Sequence, residues 1–168
     1  MEVKVFLFPE LNKPDNYPSL EHYYTAREQL NKFQLDLKAY KLDRLVREVA
    51  DKIAKPNLIA EHNLTSYPLD IPYFGKDKPN DRPDEAVYSD IWHIHIATTS
   101  TELNHKNWRN KAQEFRTSDR FIIYCRGLFN QNYFCILAVE DPPAHDKLND
   151  AIIQSNMIAA AKRFREKY

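Results

Sequence analysis

His93 and His95 stand two residues apart in "IWHIHIATT", residues 91–99. The stretch alternates apolar and polar side chains, the period of a β-strand, and strand residues two apart point the same way. His93 and His95 then share one face, and Trp92, Ile94 and Ile96 share the other. Two imidazoles side by side can bind a metal, carry out acid–base chemistry on a substrate, or simply form a polar outer face. An H-x-H strand gives two metal ligands, and a metal site needs a third or fourth. His145, Asp119 or Glu140 could supply them, but no second ligand spacing accompanies the pair. A two-histidine phosphodiesterase needs an H-x-T/S pattern twice, and "HIHIATT" does not supply it once.

Metal-free RNA cleavage suits these residue types better. A base takes the proton of the attacking 2′-hydroxyl, an acid protonates the leaving 5′-oxygen, and a cation steadies the phosphorane. Imidazole can do either proton job, and arginine matches phosphate oxygens with a planar charged fork. His93 or His95 and His145 are the proton-transfer candidates, and Arg116 and Arg126 the phosphate-stabilising cations. Asp119 could orient a histidine or an arginine. Lys111, Arg120, Tyr124, Lys162, Arg163 and Arg165 are the candidate RNA contacts. No metal or other cofactor is required.

The elements that must hold these groups follow from the hydrophobic pattern. "VKVFLF" at 3–8 is a β-type run, broken by Pro9, Pro14 and Pro18. Ser19 can cap a helix, and Thr25 with Glu28 makes a second start. Leu30, Phe33, Leu37 and Tyr40 form a helical stripe, which shifts to Leu42, Leu45, Val49 and Ile53. The shift near Lys41–Asp43 predicts two helices or one bent helix, ended by Pro56. Residues 56–90 hold five of the ten prolines (56, 68, 72, 79 and 83) and read as a long irregular loop. Strands follow at 91–97, 120–126 and 133–140. The last two are joined by a hairpin in which Gly127 is expected to use its freedom at positive φ. A basic, partly helical connector spans 100–119, and a final helix starts at Asn149 or Asp150. Ile153, Met157, Ala160 and Phe164 line its apolar side. The expected fold is a single α+β domain over 1–168, built on a small antiparallel sheet: a strand and helices in 1–55, the loop 56–90, and the sheet with its C-terminal helix in 91–168. Helices would cover one sheet face and leave the other open, with His93 and His95 on it, and Tyr124 and Arg126 beside them.

Composition narrows the class. The chain has 168 residues, 43% hydrophobic and 29% charged, with no apolar run near the roughly 20 residues of a membrane span. The N-terminus lacks a basic lead and a small-residue cleavage site, so a cytoplasmic location is expected. Cys125 and Cys135 are too few for a disulfide framework and are expected to be thiols facing each other across the hairpin. Net charge is zero, but residues 1–90 carry 13 Lys/Arg against 16 Asp/Glu, and residues 91–168 carry 11 against 8. A cationic C-terminal half fits an anionic partner such as RNA.

"YPLDIPYFGKD", "WHIHIA", "EFRTSDRFIIYCRG", "PPAH" and "AAAKRFREKY", in that order over roughly residues 67–168, resemble YafO-type toxins of bacterial type II toxin–antitoxin systems. The resemblance implies an mRNA interferase that cuts translated messages on the ribosome, neutralised by a cognate antitoxin, with a RelE-like ribonuclease fold. The matching positions are His93, His95, Phe115, Arg116, Asp119, Tyr124, Cys125, Gly127, His145, Phe164 and Arg165. Phe115, Cys125, Gly127 and Phe164 are expected to be structural, and the polar positions to carry the chemistry. The alternative reading is a non-catalytic RNA- or protein-binding module. A metal-dependent enzyme built on the H-x-H strand is the third.

Overall fold

The stripe Leu30, Phe33, Leu37 and Tyr40 is buried on all four residues. A computed structural model describes residues 2–54 and 71–168. In it the stripe belongs to one continuous helix, α1 (Leu20–Ala54). Ser19 caps it, its Oγ accepting the His22 N–H at 3.3 Å. No break accompanies the phase shift: Lys41 turns inward and is 6% exposed, while Leu42 and Val46 are left on the surface. At 35 residues the helix is about 50 Å long, roughly twice the span of the longest strand beneath it. The helix is therefore longer than the sheet it covers, and its buried residues run from Leu30 to Lys41. Pro56, the expected end of the helix, lies outside the described residues.

The strands are β1 (Lys4–Leu7), β2 (Phe74–Pro79), β3 (Ile91–Ile96), β4 (Phe121–Arg126) and β5 (Tyr133–Glu140). They form one sheet in the order β1-β5-β4-β3-β2. The fold is α+β, as expected, but the sheet is mixed rather than antiparallel, because β1 pairs parallel with β5. Val3 and Val5, both buried, draw that edge strand onto the sheet. The described part of the 56–90 loop also holds regular structure. It contains β2 on the opposite edge and a short helix, α2 (Asp84–Tyr88). Short helices α3 (Ser100–Asn104) and α4 (Lys106–Arg109) occupy the connector. After β5 come α5 (Ala144–Asn149) and α6 (Ala151–Arg165). Asp150 caps α6 by accepting the N–H groups of Ile152 and Ile153 at 2.9 and 3.0 Å. Among the described residues no helix is long and apolar enough to cross a membrane.

Both sheet faces are covered, which corrects the expectation of an open face. Under α1 lie Ile94, Ile96, Ile122, Tyr124, Ile136 and Trp92. Under α6 lie Ile91, Phe121, Ile123, Cys125, Cys135 and Leu137, with Met157, Ala160 and Phe164 from the helix. The register pairs His93 with Ile123 and His95 with Phe121, so both histidines belong to the α6 side. Tyr124 and Arg126 are on the other side, because they alternate with Ile123 and Cys125. Cys125 faces Cys135 across the hairpin as expected, and burial raises both thiols, Cys135 to about 12. Gly127 does not use positive φ. It is required for space, since a Cβ there would lie 2.6 Å from the Asn130 carbonyl oxygen.

Candidate active site

A cleft of about 440 Å³ opens where β3 ends and β4 begins, lined by Lys76, Lys78, His95, Thr117, Ser118 and His145. Strand alternation puts Lys76 and Lys78 on one side of β2, with Asp77 turned the other way under α1. Lys78 pairs with His93, so the two lysines join the histidine face. The segment carrying Thr117 and Ser118 is fastened along the outer edge of β2. Lys76 N–H donates to the Arg116 carbonyl at 2.8 Å, Gln113 Nε2 to the Gly75 carbonyl at 3.1 Å, and Trp108 Nε1 to the Pro72 carbonyl at 2.9 Å. Glycine is needed at 75, because a Cβ would lie 2.5 Å from the Arg116 carbonyl oxygen and 2.8 Å from Trp108.

His95 is 3% exposed, and its Nδ1 lies 2.8 Å from the carbonyl oxygen and 3.0 Å from the amide nitrogen of Ser118. The main chain thus occupies Nδ1 and leaves Nε2. Burial, with the nearby His145, Lys78 and Lys76 charges, lowers its pKa to about 4, so the imidazole is neutral at pH 7. His93 is equally buried, with Nδ1 2.5 Å from Asn80 Oδ1, and burial lowers its pKa to about 3. The two rings are 5.5 Å apart. Phe121 packs against both, and against His145.

His145 enters the cleft from the first turn of α5, its ring centroid 5.9 Å from that of His95. Asp119 Oδ1 accepts the His145 backbone N–H at 2.9 Å and lies 2.6 Å from its Nδ1. The first of these contacts does most to hold the Asp119 carboxyl below its ordinary range. A carboxylate that fixes Nδ1 orients the ring and presents Nε2 for proton transfer. The cleft thus combines two ammonium groups, a neutral buried imidazole and an exposed imidazole steered by a carboxylate. That set can bind a phosphate and move protons on either side of it.

Of the expected catalytic residues, the fold brings His95, His145 and Asp119 together. His93, beside His95 on the same face of β3, does not line the cleft and is turned to Asn80. Arg116 flanks the cleft without lining it: its Nε donates to the Lys111 carbonyl at 2.9 Å and its Nη1 to the Phe74 carbonyl at 3.4 Å. Arg126 is at the far end of β4, about 17 Å along the strand, where its Nε lies 2.6 Å from Asp90 Oδ2. None of the six expected RNA contacts lines the cleft. Tyr124 is 1% exposed and donates to Asp77 Oδ1 at 2.8 Å, beside Lys41 Nζ, so it has no surface to offer RNA. Arg120 is paired with Asp141 and Glu102. Arg165 is drawn to Asp90 and the Arg126 carbonyl at the far end. Arg163 lies beside Glu10, and Lys111 and Lys162 are exposed. Lys76 and Lys78 were missed because they fell within the presumed loop, although "KDK" has the two-residue period that puts both on one strand face. Among the described residues no three His, Cys, Asp or Glu side chains converge as metal ligands, at the H-x-H strand or elsewhere.

A family model described as Toxin YafO, type II toxin-antitoxin system, matches residues 38–166. The chain belongs to this family. Membership in the YafO family identifies it as the toxin of a toxin–antitoxin pair and implies a cognate antitoxin as partner. The match takes in every cleft residue, from Lys76 to His145, and begins inside α1, earlier than the motifs at 67–168 suggested. No curated protein and no solved structure matches the chain significantly.

Proposed function

We propose that this YafO-family toxin is a metal-independent endoribonuclease that cuts mRNA, and that its chemistry takes place in the Lys76/Lys78/His95/His145 cleft. The observation that carries the reading is the pairing of two lysines with two imidazoles, one of them held by Asp119. In the proposed step the 2′-hydroxyl gives its proton to neutral His95 at Nε2. The 2′-oxygen bonds to phosphorus, the P–O5′ bond breaks, and the 5′-oxygen takes a proton from Nε2 of the imidazolium form of His145. The products are a 2′,3′-cyclic phosphate and a 5′-hydroxyl. Lys76 and Lys78 balance the negative charge of the phosphorane. His93, held by Asn80, positions His95.

A RelE-like ribonuclease fold and dependence on the ribosome belong to the same proposal. Zero net charge and two cleft lysines give few phosphate contacts, hence weak affinity for free RNA. A ribosome that presents the message would supply what charge does not. The test is inducible expression of wild type and His145→Ala in a bacterial host without the antitoxin, following growth and message integrity together. Arrested growth with cut messages for wild type only supports the proposal. Arrest with intact messages removes it in favour of a binding module that blocks its target without cleavage.

A further inference from the structure

We infer that Phe115 is a base-stacking platform for a nucleotide of single-stranded RNA, beside the phosphate held in the cleft; the inference rests on the reading of that cleft as an RNA site. Sequence reasoning assigns Phe115 a structural role, alongside Cys125, Gly127 and Phe164. Those three are buried or tightly enclosed, whereas Phe115 is 63% exposed. Of the described exposed large apolar side chains, it alone belongs to the segment that lines the cleft. Leu128 and Phe129 are in the β4–β5 hairpin, and Val87 and Tyr88 precede β3, both at the other end of the sheet.

Its backbone is held firmly. Phe115 N–H donates to the Ala112 carbonyl at 2.9 Å, the next residue accepts from Lys76 N–H, and Gln113 two residues earlier is 3% exposed. Thr117 of the cleft is two residues on, within about 7 Å along the chain. An exposed aromatic side chain on a firmly held backbone, in a segment hydrogen-bonded to the strand that carries two lysines, is a combination that suits a single strand: cations take the phosphates and the ring takes the face of a base. The arrangement also answers the shortage of charge, because stacking adds affinity that salt does not screen.

The test uses two short single-stranded probes at low salt. One is a 2′-O-methylated oligonucleotide, which cannot be cleaved by 2′-hydroxyl attack. The other has the same backbone with abasic positions. Wild type should bind the first about five- to a hundredfold more tightly. Phe115→Ala should bring the two affinities together with little change for the abasic probe, and Phe115→Trp should restore the difference. Equal preference for bases in wild type and Phe115→Ala overturns the inference, even if wild type cuts messages. A Phe115-dependent preference in a protein that leaves messages whole would instead support stacking and remove the nuclease reading.

Discussion

Mild acid should destabilise this protein well before its carboxylates titrate. His93 and His95 are buried, with pKa values of about 3 and about 4 against an ordinary 6.5. Above pH 6.5 both are neutral in the folded and unfolded chains, so neither contributes to pH dependence. As pH falls below 6.5 the unfolded chain takes up two protons that the folded chain refuses, and stability drops until the folded pKa values are reached. Each such proton costs about 1.4 kcal/mol per pH unit. Between about pH 7.5 and pH 5 the two groups together remove about 4 kcal/mol, a large part of an ordinary domain's 5–15 kcal/mol. Asp90 and Asp119, held below their ordinary 3.8, act only lower down, where stability is lost as pH falls through their folded values. Urea unfolding at pH 7.5, 6 and 5, followed by circular dichroism, should give a falling midpoint. His93→Gln/His95→Gln should flatten that dependence, whatever it does to stability at pH 7.5. An unchanged wild-type midpoint over this range, or the same slope in the double variant, would refute the argument that these imidazoles are buried and neutral.

Gly75→Ala should lower stability by about 1–3 kcal/mol through overpacking, and should reduce cleavage as well because it pushes away the segment carrying Thr117 and Ser118; thermal melts and a message-cleavage assay check both. Lys41→Met leaves Asp77, with 1% of its side chain exposed, without its closest cation, and should cost about 3–5 kcal/mol. The double variant Lys41→Met/Asp77→Leu should recover part of that loss in denaturant unfolding. Lys76→Gln/Lys78→Gln should weaken oligonucleotide binding and make its salt dependence shallower, by about 1 to 2 in the slope of log affinity against log salt.

The strand 91–96 was legible from its alternation, and 121–126 and 133–140 from short apolar runs rich in aromatic and β-branched residues and bounded by turn residues. The α1 stripe and the Asp150 cap were legible for the same local reason. Alternation separates two faces but does not say what covers each, and that is why His93 and His95 were assigned to an open side. The apolar partners of that side, Phe121, Ile123 and Leu137, come from other strands. Tyr124, Arg126 and Arg165 looked chemically available because their partners Asp77 and Asp90 are 36 or more residues away. β2 was hidden by its setting, since Pro72 precedes and Pro79 ends a six-residue edge strand, where proline is tolerated. With β2 hidden, its two lysines were hidden too. His145 and Asp119 could be nominated from residue type, but their contact depends on α5 folding back over the start of β4.

The most direct test of the cleft's proposed chemistry is the identity of the ends left on cut messages in cells expressing the wild-type toxin. Attack by a 2′-hydroxyl with proton transfer through His95 and His145 predicts 2′,3′-cyclic phosphate or 3′-phosphate upstream and 5′-hydroxyl downstream, with such ends lost in Asp119→Asn and His145→Ala. Ends bearing 3′-hydroxyl and 5′-phosphate, or unchanged cutting by both variants, would contradict it.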